Sequence, residues 1–412
     1  MHRRAFAASL TALMLAPRIA GARSPAASPV SINEFTPIQV DGIPIALSPD
    51  GTQIAGLTFD RDLCIWDAAS LETRVVSPHA REVEALDIGS LVWAPDSSAL
   101  AFNLASVLQF RDSDIVVFDA ETAAIVNVTG TASSETLTSL ADATPEAPVN
   151  IDLYPAWSPD SSQIAFARTI YTGDADQSQI KLCHLPRQGG DSTDIVTLPQ
   201  QSMPGVLPSL FWGSDDTILY SGEDADRISG KSGIFRVFLD NSDIEPVISG
   251  LMASEIPGAL LVAVAADAGL ATILTSGNDK MRMEDFPRWY FYLADLDSGT
   301  PTRVEDVLSL PTDGEEALDA GLFLDGPPTI VVTDADRPPT FLYNTIGRDE
   351  IQIRGQRSGE EATVLATFPL PDTSELPVVN SLLYSGVQIG TNGTILVTRP
   401  GGAWISHQEI SA

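Results

Sequence analysis

Apolar and polar positions alternate in short runs along most of this chain, and the runs come in pairs joined by a Pro-Asp turn. Leu47-Ser48-Pro49-Asp50-Gly51-Thr52-Gln53-Ile54-Ala55, Trp93-Ala94-Pro95-Asp96-Ser97-Ser98-Ala99-Leu100-Ala101-Phe102 and Trp157-Ser158-Pro159-Asp160-Ser161-Ser162-Gln163-Ile164-Ala165-Phe166 keep one order. An apolar run leads into the turn and a second apolar run leaves it. Proline presets φ at the first central position of a turn and Asp, Gly or Ser accept the next ones, so each phrase predicts a β-hairpin. Fainter copies follow. Trp212-Gly213-Ser214-Asp215-Asp216-Thr217-Ile218-Leu219-Tyr220 keeps the tryptophan, and a Thr-Ile-Leu/Val core returns at Thr329-Ile330-Val331-Val332 and Thr394-Ile395-Leu396-Val397. The run from Val264 to Ile273 fills the remaining gap.

The turn markers Asp50, Asp96, Asp160, Asp215, Asp267, Asp325 and Asn392 recur every 46 to 67 residues, the length of one small antiparallel sheet. Each early hairpin is followed by a polar loop and a third strand, such as Leu63–Asp67, Ile115–Asp119 or Ile180–Cys183. A fourth follows at 74–76, 124–128 and 194–198. Four-stranded units at this period, arranged radially, leave only short protected strand edges. The predicted fold class is therefore all-β: a seven-bladed β-propeller of four-stranded antiparallel blades, one domain over residues 31–408. The last unit stops at its third strand, Ala403–His407, and the run Ser31–Thr36 is expected to close the ring by supplying the missing one. Counts of six or eight blades stay open.

These phrases resemble the TolB-type, WD-like propeller repeat, whose signature runs apolar-Trp-Ser-Pro-Asp-Gly, Ile-Ala-Phe, loop, Ile-Tyr. The match is good over residues 47–120 and 151–240 and topological beyond them. The resemblance implies the fold. Relatives include periplasmic scaffolds, propeller domains of prolyl-type peptidases and a few polysaccharide lyases, so it does not imply one activity.

Residues 1–22 read as a signal peptide, with Arg3-Arg4, an apolar stretch and the small residues Ala20-Gly21-Ala22 before a cleavage point. Arg3-Arg4-Ala5-Phe6 resembles a twin-arginine signal; an ordinary secretory signal is the alternative. Residues 23–30 form a linker. The expected localisation is exported: periplasmic, cell-surface or extracellular. The run from Gly258 to Ser276 carries Asp267 at its centre and fits two strands around a turn rather than a membrane span. Cys64 and Cys183 fall in different registers of the repeat and read as buried, unpaired thiols.

A formal charge of −32, from 23 basic and 55 acidic residues, makes nucleic acid and anionic membranes poor partners. A hydrophobic share of 44% excludes general disorder. The loops between second and third strands carry spaced carboxylates: Asp60 and Asp62, Asp112 and Asp114, Asp174 and Asp176, Asp224 and Asp226, Asp334 and Asp336. Oxygens so spaced suit a hard cation such as Ca²⁺, and Asp174, Asp176, Asp224, Asp226, Asp334 and Asp336 form the candidate acidic rim. Each pair taken alone is also an ordinary solvated turn.

Gly230-Lys231-Ser232 lacks the upstream glycine and the helix of a phosphate loop. A Gly-x-Ser-x-Gly elbow and an appended α/β half are absent, and His79, His184 and His407 are scattered. No catalytic residues and no cofactor beyond Ca²⁺ are therefore assigned. Trp93, Trp157 and Trp212 share one repeat position and read as packing anchors. The expected function is an exported, non-enzymatic binding or scaffold protein, a monomer presenting a propeller face to a protein or extracellular ligand. The alternative is a carbohydrate- or lactone-active enzyme with a carboxylate/cation site at the channel. Aspartates converging with a His or Arg would favour that alternative.

Overall fold

A computed structural model describes residues 35–58, 63–75, 86–106, 113–129, 149–171, 179–198, 210–213, 216–223, 232–248, 259–276, 289–311, 314–324, 326–332, 338–369, 386–399 and 402–407. The expected signal peptide and linker lie outside them. Strand β1 (Thr36–Pro37) precedes a sheet of β2 (Ile43–Leu47), β3 (Gln53–Leu57), β4 (Leu63–Asp67) and β5 (Thr73–Val75). Next come β6 (Leu86–Trp93), β7 (Ala99–Ser106), β8 (Ser113–Asp119) and β9 (Ile125–Asn127), then β10 (Val149–Trp157), β11 (Gln163–Tyr171), β12 (Gln179–Pro186) and β13 (Thr193–Leu198). The following sheets are β14 (Leu210–Trp212), β15 (Thr217–Glu223), β16 (Ser232–Phe238), β17 (Ile244–Ile248) and β18 (Ala259–Ala265), β19 (Leu270–Ser276), β20 (Trp289–Asp295), β21 (Pro301–Arg303).

Among the described residues, a 3-10 turn at Ala266–Ala268 and two short α-helices, α1 (Val304–Val307) and α2 (Gly314–Asp319), interrupt the all-β pattern. Beyond them lie β22 (Phe323–Leu324), β23 (Thr329–Val331), β24 (Thr340–Ile346), β25 (Glu350–Arg357) and β26 (Thr363–Pro369), then β27 (Gly386–Ile389), β28 (Ile395–Arg399) and β29 (Gly402–Ser406). Four of the described sheets are four-stranded and antiparallel, as the hairpin grammar predicts; β6–β9 and β10–β13 are joined by a parallel β8–β10 bridge into one eight-stranded sheet, and β22–β26 form a five-stranded one. No described helix is long and apolar enough to cross a membrane.

The hairpin turns explain the repeated residues. At Ser158 the hydroxyl donates to Asp160 Oδ1 at 2.6 Å and accepts from the Gln163 amide at 2.9 Å, while the Ser162 amide donates to Asp160 Oδ1 at 3.1 Å. Ser48, Asp50, Thr52 and Gln53 repeat the same bonds. The residue after the aspartate turns left-handed: Gly51, Ser97 and Ser161 have φ of 76°, 63° and 62°. Glycine adopts this at no cost, and serine at about 1–2 kcal/mol that the turn's hydrogen bonds offset.

The chain divides into two compact units, one built mainly on residues 75–253 and the other on 254–412 with 16–59 and 65–74. In the first, β10–β13 is covered on both faces. Ile164 and Phe166 of β11 pack with Trp157, Cys183 and Leu185 against Ala99, Ala101, Ile115 and Val117. The intervening Ala165 and Ala167 join Leu182, Ile218, Tyr220 and Val237 on the other side. Period-two alternation within a near-continuous apolar run therefore feeds two cores. The Trp157 indole donates to the Val92 carbonyl at 2.9 Å, and Trp93, Trp157 and Trp212 are all buried, as packing anchors should be. Cys64 and Cys183 are buried and form no disulfide.

In the second unit, Leu342, Ile351, Ile353 and Phe368 pack on Val387, Ile395 and Val397. The Gln388 side chain then ties β27 to β2, accepting from the Leu47 amide at 2.8 Å and donating to the Ile45 carbonyl at 2.7 Å. Strand β1 pairs antiparallel with β29, Thr36 opposite Ile405, so the N-terminal segment supplies the fourth strand of the last sheet. The observed strand begins at Thr36, at the end of the expected run, whose residues 31–34 lie outside the described ones.

One expected turn is displaced. Asp325 was to separate the first and second strands of the sixth unit, with Thr329–Val332 in the second. Instead β22 and β23 both pair with β24, Leu324 opposite Thr345 and Thr329 opposite Leu342. They are two pieces of one edge strand interrupted around Gly326-Pro327-Pro328, because proline cannot donate to the ladder and Gly326, at φ 147°, bends the backbone.

Candidate functional site

The strands of the first unit bring charge into an otherwise apolar interface. Strand β10 carries a bulge between Leu153 and Ala156, where Tyr154 is held at φ 60° with its ring buried. A bulky residue in the left-handed region is strained, and bulges of this kind re-aim the neighbouring side chains. Just before the bulge, Asp152 stands opposite Arg168 of β11. Its carboxylate is fully buried and takes two guanidinium bonds, Nε to Oδ1 at 2.7 Å and Nη2 to Oδ2 at 2.8 Å. Arg168 Nη1 donates to the Ser192 hydroxyl at 2.9 Å, and the guanidinium lies over the Phe166 ring at 5.2 Å.

The other half of the same eight-stranded sheet contributes from the far side of β10. Strand β8 touches β10 through a parallel bridge, Ser113 opposite Ile151, and the Ser113 hydroxyl donates to the Asp152 carbonyl at 2.9 Å. Asp114 is 4% exposed and accepts from Asn127 Nδ2 at 2.8 Å and from the Thr129 hydroxyl at 3.2 Å. It faces inward as part of this network and does not project as a rim ligand. On β12, Lys181 stands opposite Arg168 and pairs with Asp194, while Cys183 Sγ lies 3.5 Å from Asp194 Oδ1.

Solvent reaches this row unevenly. Side-chain exposure rises from 0% at Asp152 through 13% at Arg168 and 22% at Lys181 to 51% at Asp194. Burial pushes the Asp152 carboxyl above the usual range against the pull of Arg168, whose own pKa is raised by hydrogen bonding to that carboxylate. Hydrogen bonding from Lys181 holds Asp194 below the usual range. Burial also pushes the Cys183 thiol up to about 12, which makes it a poor nucleophile. The result is a cation fixed by a buried anion, flanked by an ion pair that meets solvent. It lies near the strand ends that lead into residues 107–112, 130–148 and 172–178.

Asp174, Asp176, Asp224, Asp226, Asp334 and Asp336 all lie outside the described residues. Their neighbours in the chain still place them in the strand order. The first two pairs fall between second and third strands, β11 and β12, β15 and β16; Asp334 and Asp336 fall between β23 and β24. Among the described residues, no group of three His, Cys, Asp or Glu side chains is arranged to hold a metal ion. His184 Nδ1 is 2.6 Å from Gln163 Oε1 and His407 Nδ1 is 3.3 Å from the Thr394 hydroxyl, so both make local hydrogen bonds.

No protein-family model matches the sequence, and no curated protein matches it. Solved structures match in fold. An oligogalacturonate lyase in complex with manganese superposes at a TM-score of 0.53 with 12% identity over 89% of both chains. The oligogalacturonate lyase of Vibrio parahaemolyticus gives 0.52 and 9% over 91% of both. A TolB-like protein of Agrobacterium tumefaciens reaches 0.39 at 15% identity, over 64% of this chain and 79% of its own. The likeness is one of fold, and the fold is propeller-like.

The expectation of a non-enzymatic binding or scaffold protein is corrected here. It rested on finding no nucleophile with a base, no metal triad and no nucleotide loop in the sequence, yet two solved structures that share this fold along nearly the whole chain are oligogalacturonate lyases, which favours an enzyme. The sequence also offered no converging charged groups, whereas pairing of β8, β10, β11, β12 and β13 gathers Asp114, Asp152, Arg168, Lys181 and Asp194. The missed signal was a charged residue inside each of two apolar strands, Asp152 and Arg168, flanking one predicted hairpin.

Proposed function

We propose that this chain is an exported carbohydrate-active enzyme, a single seven-bladed propeller over residues 31–408 closed by its N-terminal strand, with its chemistry at the Arg168 row. One observation carries the reading: Arg168 is clamped in two bonds by a carboxylate with no solvent exposure, beside the exposed Lys181–Asp194 pair. A guanidinium held in this way loses little entropy on meeting a ligand and remains charged throughout a reaction. The donors Arg168 and Lys181 stand side by side, each beside an acceptor, Ser192 and Asp194, a set that suits the hydroxyls of a sugar. The neighbouring folds that act on oligogalacturonate support the substrate class.

Asp152 is a positioning residue. It touches no substrate, and its work is to orient Arg168. Arg168 and Lys181 would neutralise negative charge developing on a bound sugar, and Asp194, held ionised, would accept hydrogen bonds from ring hydroxyls. The test incubates the full chain with oligogalacturonate and with neutral oligosaccharides, with and without added Mn²⁺ or Ca²⁺. Product is read by reducing ends and by the ultraviolet absorbance of an unsaturated sugar. Arg168→Lys should lower kcat/KM at least tenfold, about 1.4 kcal/mol of transition-state stabilisation, because one ammonium cannot reproduce the two-pronged pairing. No turnover of any of these sugars, or unchanged turnover in the variant, would overturn the proposal. A requirement for Ca²⁺ that Asp174→Asn abolishes would bring the acidic rim into the site.

A further inference from the structure

The turn between β27 and β28 carries the one Asn-Gly pair of the chain, Asn392-Gly393. It occupies the place that aspartate holds in the clearer repeats. Asn392 Oδ1 accepts from the Thr394 amide at 2.9 Å, as Asp50 Oδ1 does from the Thr52 amide at 3.0 Å and Asp160 Oδ1 from the Ser162 amide at 3.1 Å. Gly393 follows at φ 85°, in the left-handed region where Gly51 stands in the first turn. A neutral amide thus closes this turn as a carboxylate closes the others.

The packing of the turn accounts for the difference. The Thr391 amide donates to the Pro49 carbonyl at 2.7 Å, and a β-carbon on Gly51 would approach Asn392 Oδ1 to 2.0 Å. Gly390 is pressed on Gly51 in the same way, since a β-carbon on it would lie 2.3 Å from Gly51 Cα. The first and last turns therefore meet through the Asn392 side chain. Asp50, next to Gly51, already brings a carboxylate to that junction, and a second one would repel it.

The same amide is open to chemistry. Asn392 is exposed, and the glycine after it offers a backbone nitrogen that no side chain shields. Attack of that nitrogen on Asn392 Cγ closes a five-membered ring. The Thr394 amide, already donating to Oδ1, is placed to stabilise the negative charge that develops on this oxygen as the nitrogen adds. The Gly393 amide also donates to the Gly390 carbonyl at 3.0 Å, so the step waits for a local opening of the turn.

We propose that Asn392 is a site of spontaneous deamidation in the folded chain, and that its products loosen the contact between the first and last turns. The Gly393 nitrogen bonds to Cγ and loses its proton to solvent base, while the bond from Cγ to Nδ2 breaks and Nδ2 leaves, protonated by water, as ammonia. Water then opens the cyclic imide at either carbonyl. Breaking the new bond leaves an aspartate. Breaking the original peptide bond leaves an isoaspartate, whose main chain runs through Cβ and is one atom longer. The first product adds a charge beside Asp50, and the second also displaces Gly393 from Gly390.

The experiment ages the folded full chain in mildly alkaline, heavy-oxygen water and follows position 392 by peptide mass spectrometry, beside the same chain unfolded in guanidinium. Conversion at 392, with heavy oxygen gained, should run at least tenfold faster in the folded chain than at any other asparagine, and the aged protein should melt at a lower temperature. Gly393→Ala should slow conversion at least tenfold by shielding the nitrogen. Because alanine strains a left-handed turn, Asn392→Gln, which needs a larger ring, should stop it with the glycine in place. Asn392→Asp should reproduce part of the fall in Tm without ageing. Conversion confined to the unfolded chain, equal rates at other asparagines, conversion that survives both blocking variants, or an aged protein and an Asn392→Asp variant that melt like the fresh chain would overturn the proposal.

Discussion

Arg168 and Asp152 form a two-bond ion pair, 2.7 Å and 2.8 Å, whose carboxylate has no exposure while its guanidinium keeps 13%. A pair of this kind is held against the cost of taking both charges out of water, so its value depends on both members being present.

Removing one member should therefore cost more than removing both. Arg168→Leu leaves Asp152 as a buried charge without its partner and is expected to destabilise the fold by about 3–5 kcal/mol, whereas Arg168→Leu combined with Asp152→Leu should recover much of that. Urea unfolding of the two variants gives the comparison. A double variant no more stable than the single one would mean that Thr129, which also hydrogen-bonds Asp152, already satisfies the carboxylate.

Acid should weaken the protein chiefly through its turns. Asp160 is held below its usual pKa by the Ser158 hydroxyl, and Asp67, Asp119 and Asp295 by amides of Ser70, Thr122 and Ser298. A folded-state pKa below the unfolded value contributes stability that is present above the unfolded pKa and lost as pH falls through the folded one. Stability should thus decline as pH drops below about 4, and Asp160→Asn should flatten part of that decline while lowering stability at neutral pH. Asp152, raised by burial, contributes with the opposite sign: its stability term is full below the unfolded pKa and fades as pH rises through the folded one. Melting temperatures across the acid range check both directions.

Gly51 cannot carry a side chain. Its φ is 76°, and a β-carbon there would lie 2.0 Å from Asn392 Oδ1, where the Thr391 amide also donates to the Pro49 carbonyl at 2.7 Å. Gly51→Ala should cost more than the roughly 1–2 kcal/mol of a left-handed alanine, which is all that Gly269→Ala, at φ 62° with open space around it, should show. Equal losses in the two variants would show that the two turns are free to separate.

The start of the described chain is anchored by rings. Phe35 meets Phe368 edge-on at 5.2 Å, and Phe368 stacks on Trp404 at 5.0 Å. Deleting residues 31–38 should remove β1 from β29 and lower Tm by several degrees, whereas deleting 23–30 should leave it unchanged; Phe35→Ala should fall between them, at about 3 kcal/mol or less. Identical melting curves for the two deletions would count against any closing role for this strand.

The sequence by itself determined the local structure. Ser-Pro-Asp phrases dictate hairpins because the bonds that close them run among residues at most five positions apart, as at Ser158, Asp160 and Gln163. Alternation in Ile164–Ala167 likewise dictates which side chains face which core. Helices α1 and α2 and the broken strand β22–β23 escaped that reading, since the turn grammar fades in this part of the chain and Thr329 looks the same in a first or a second strand until its partner is known. The tertiary structure alone decided the charged site. Asp152 pairs with Arg168 just before a bulge and meets Ser113 and Thr129 from the adjoining four-strand unit, and no spacing along the chain encodes which units become neighbours. Burial, which raises one carboxyl and fixes one guanidinium, is a property of that packing and not of either residue.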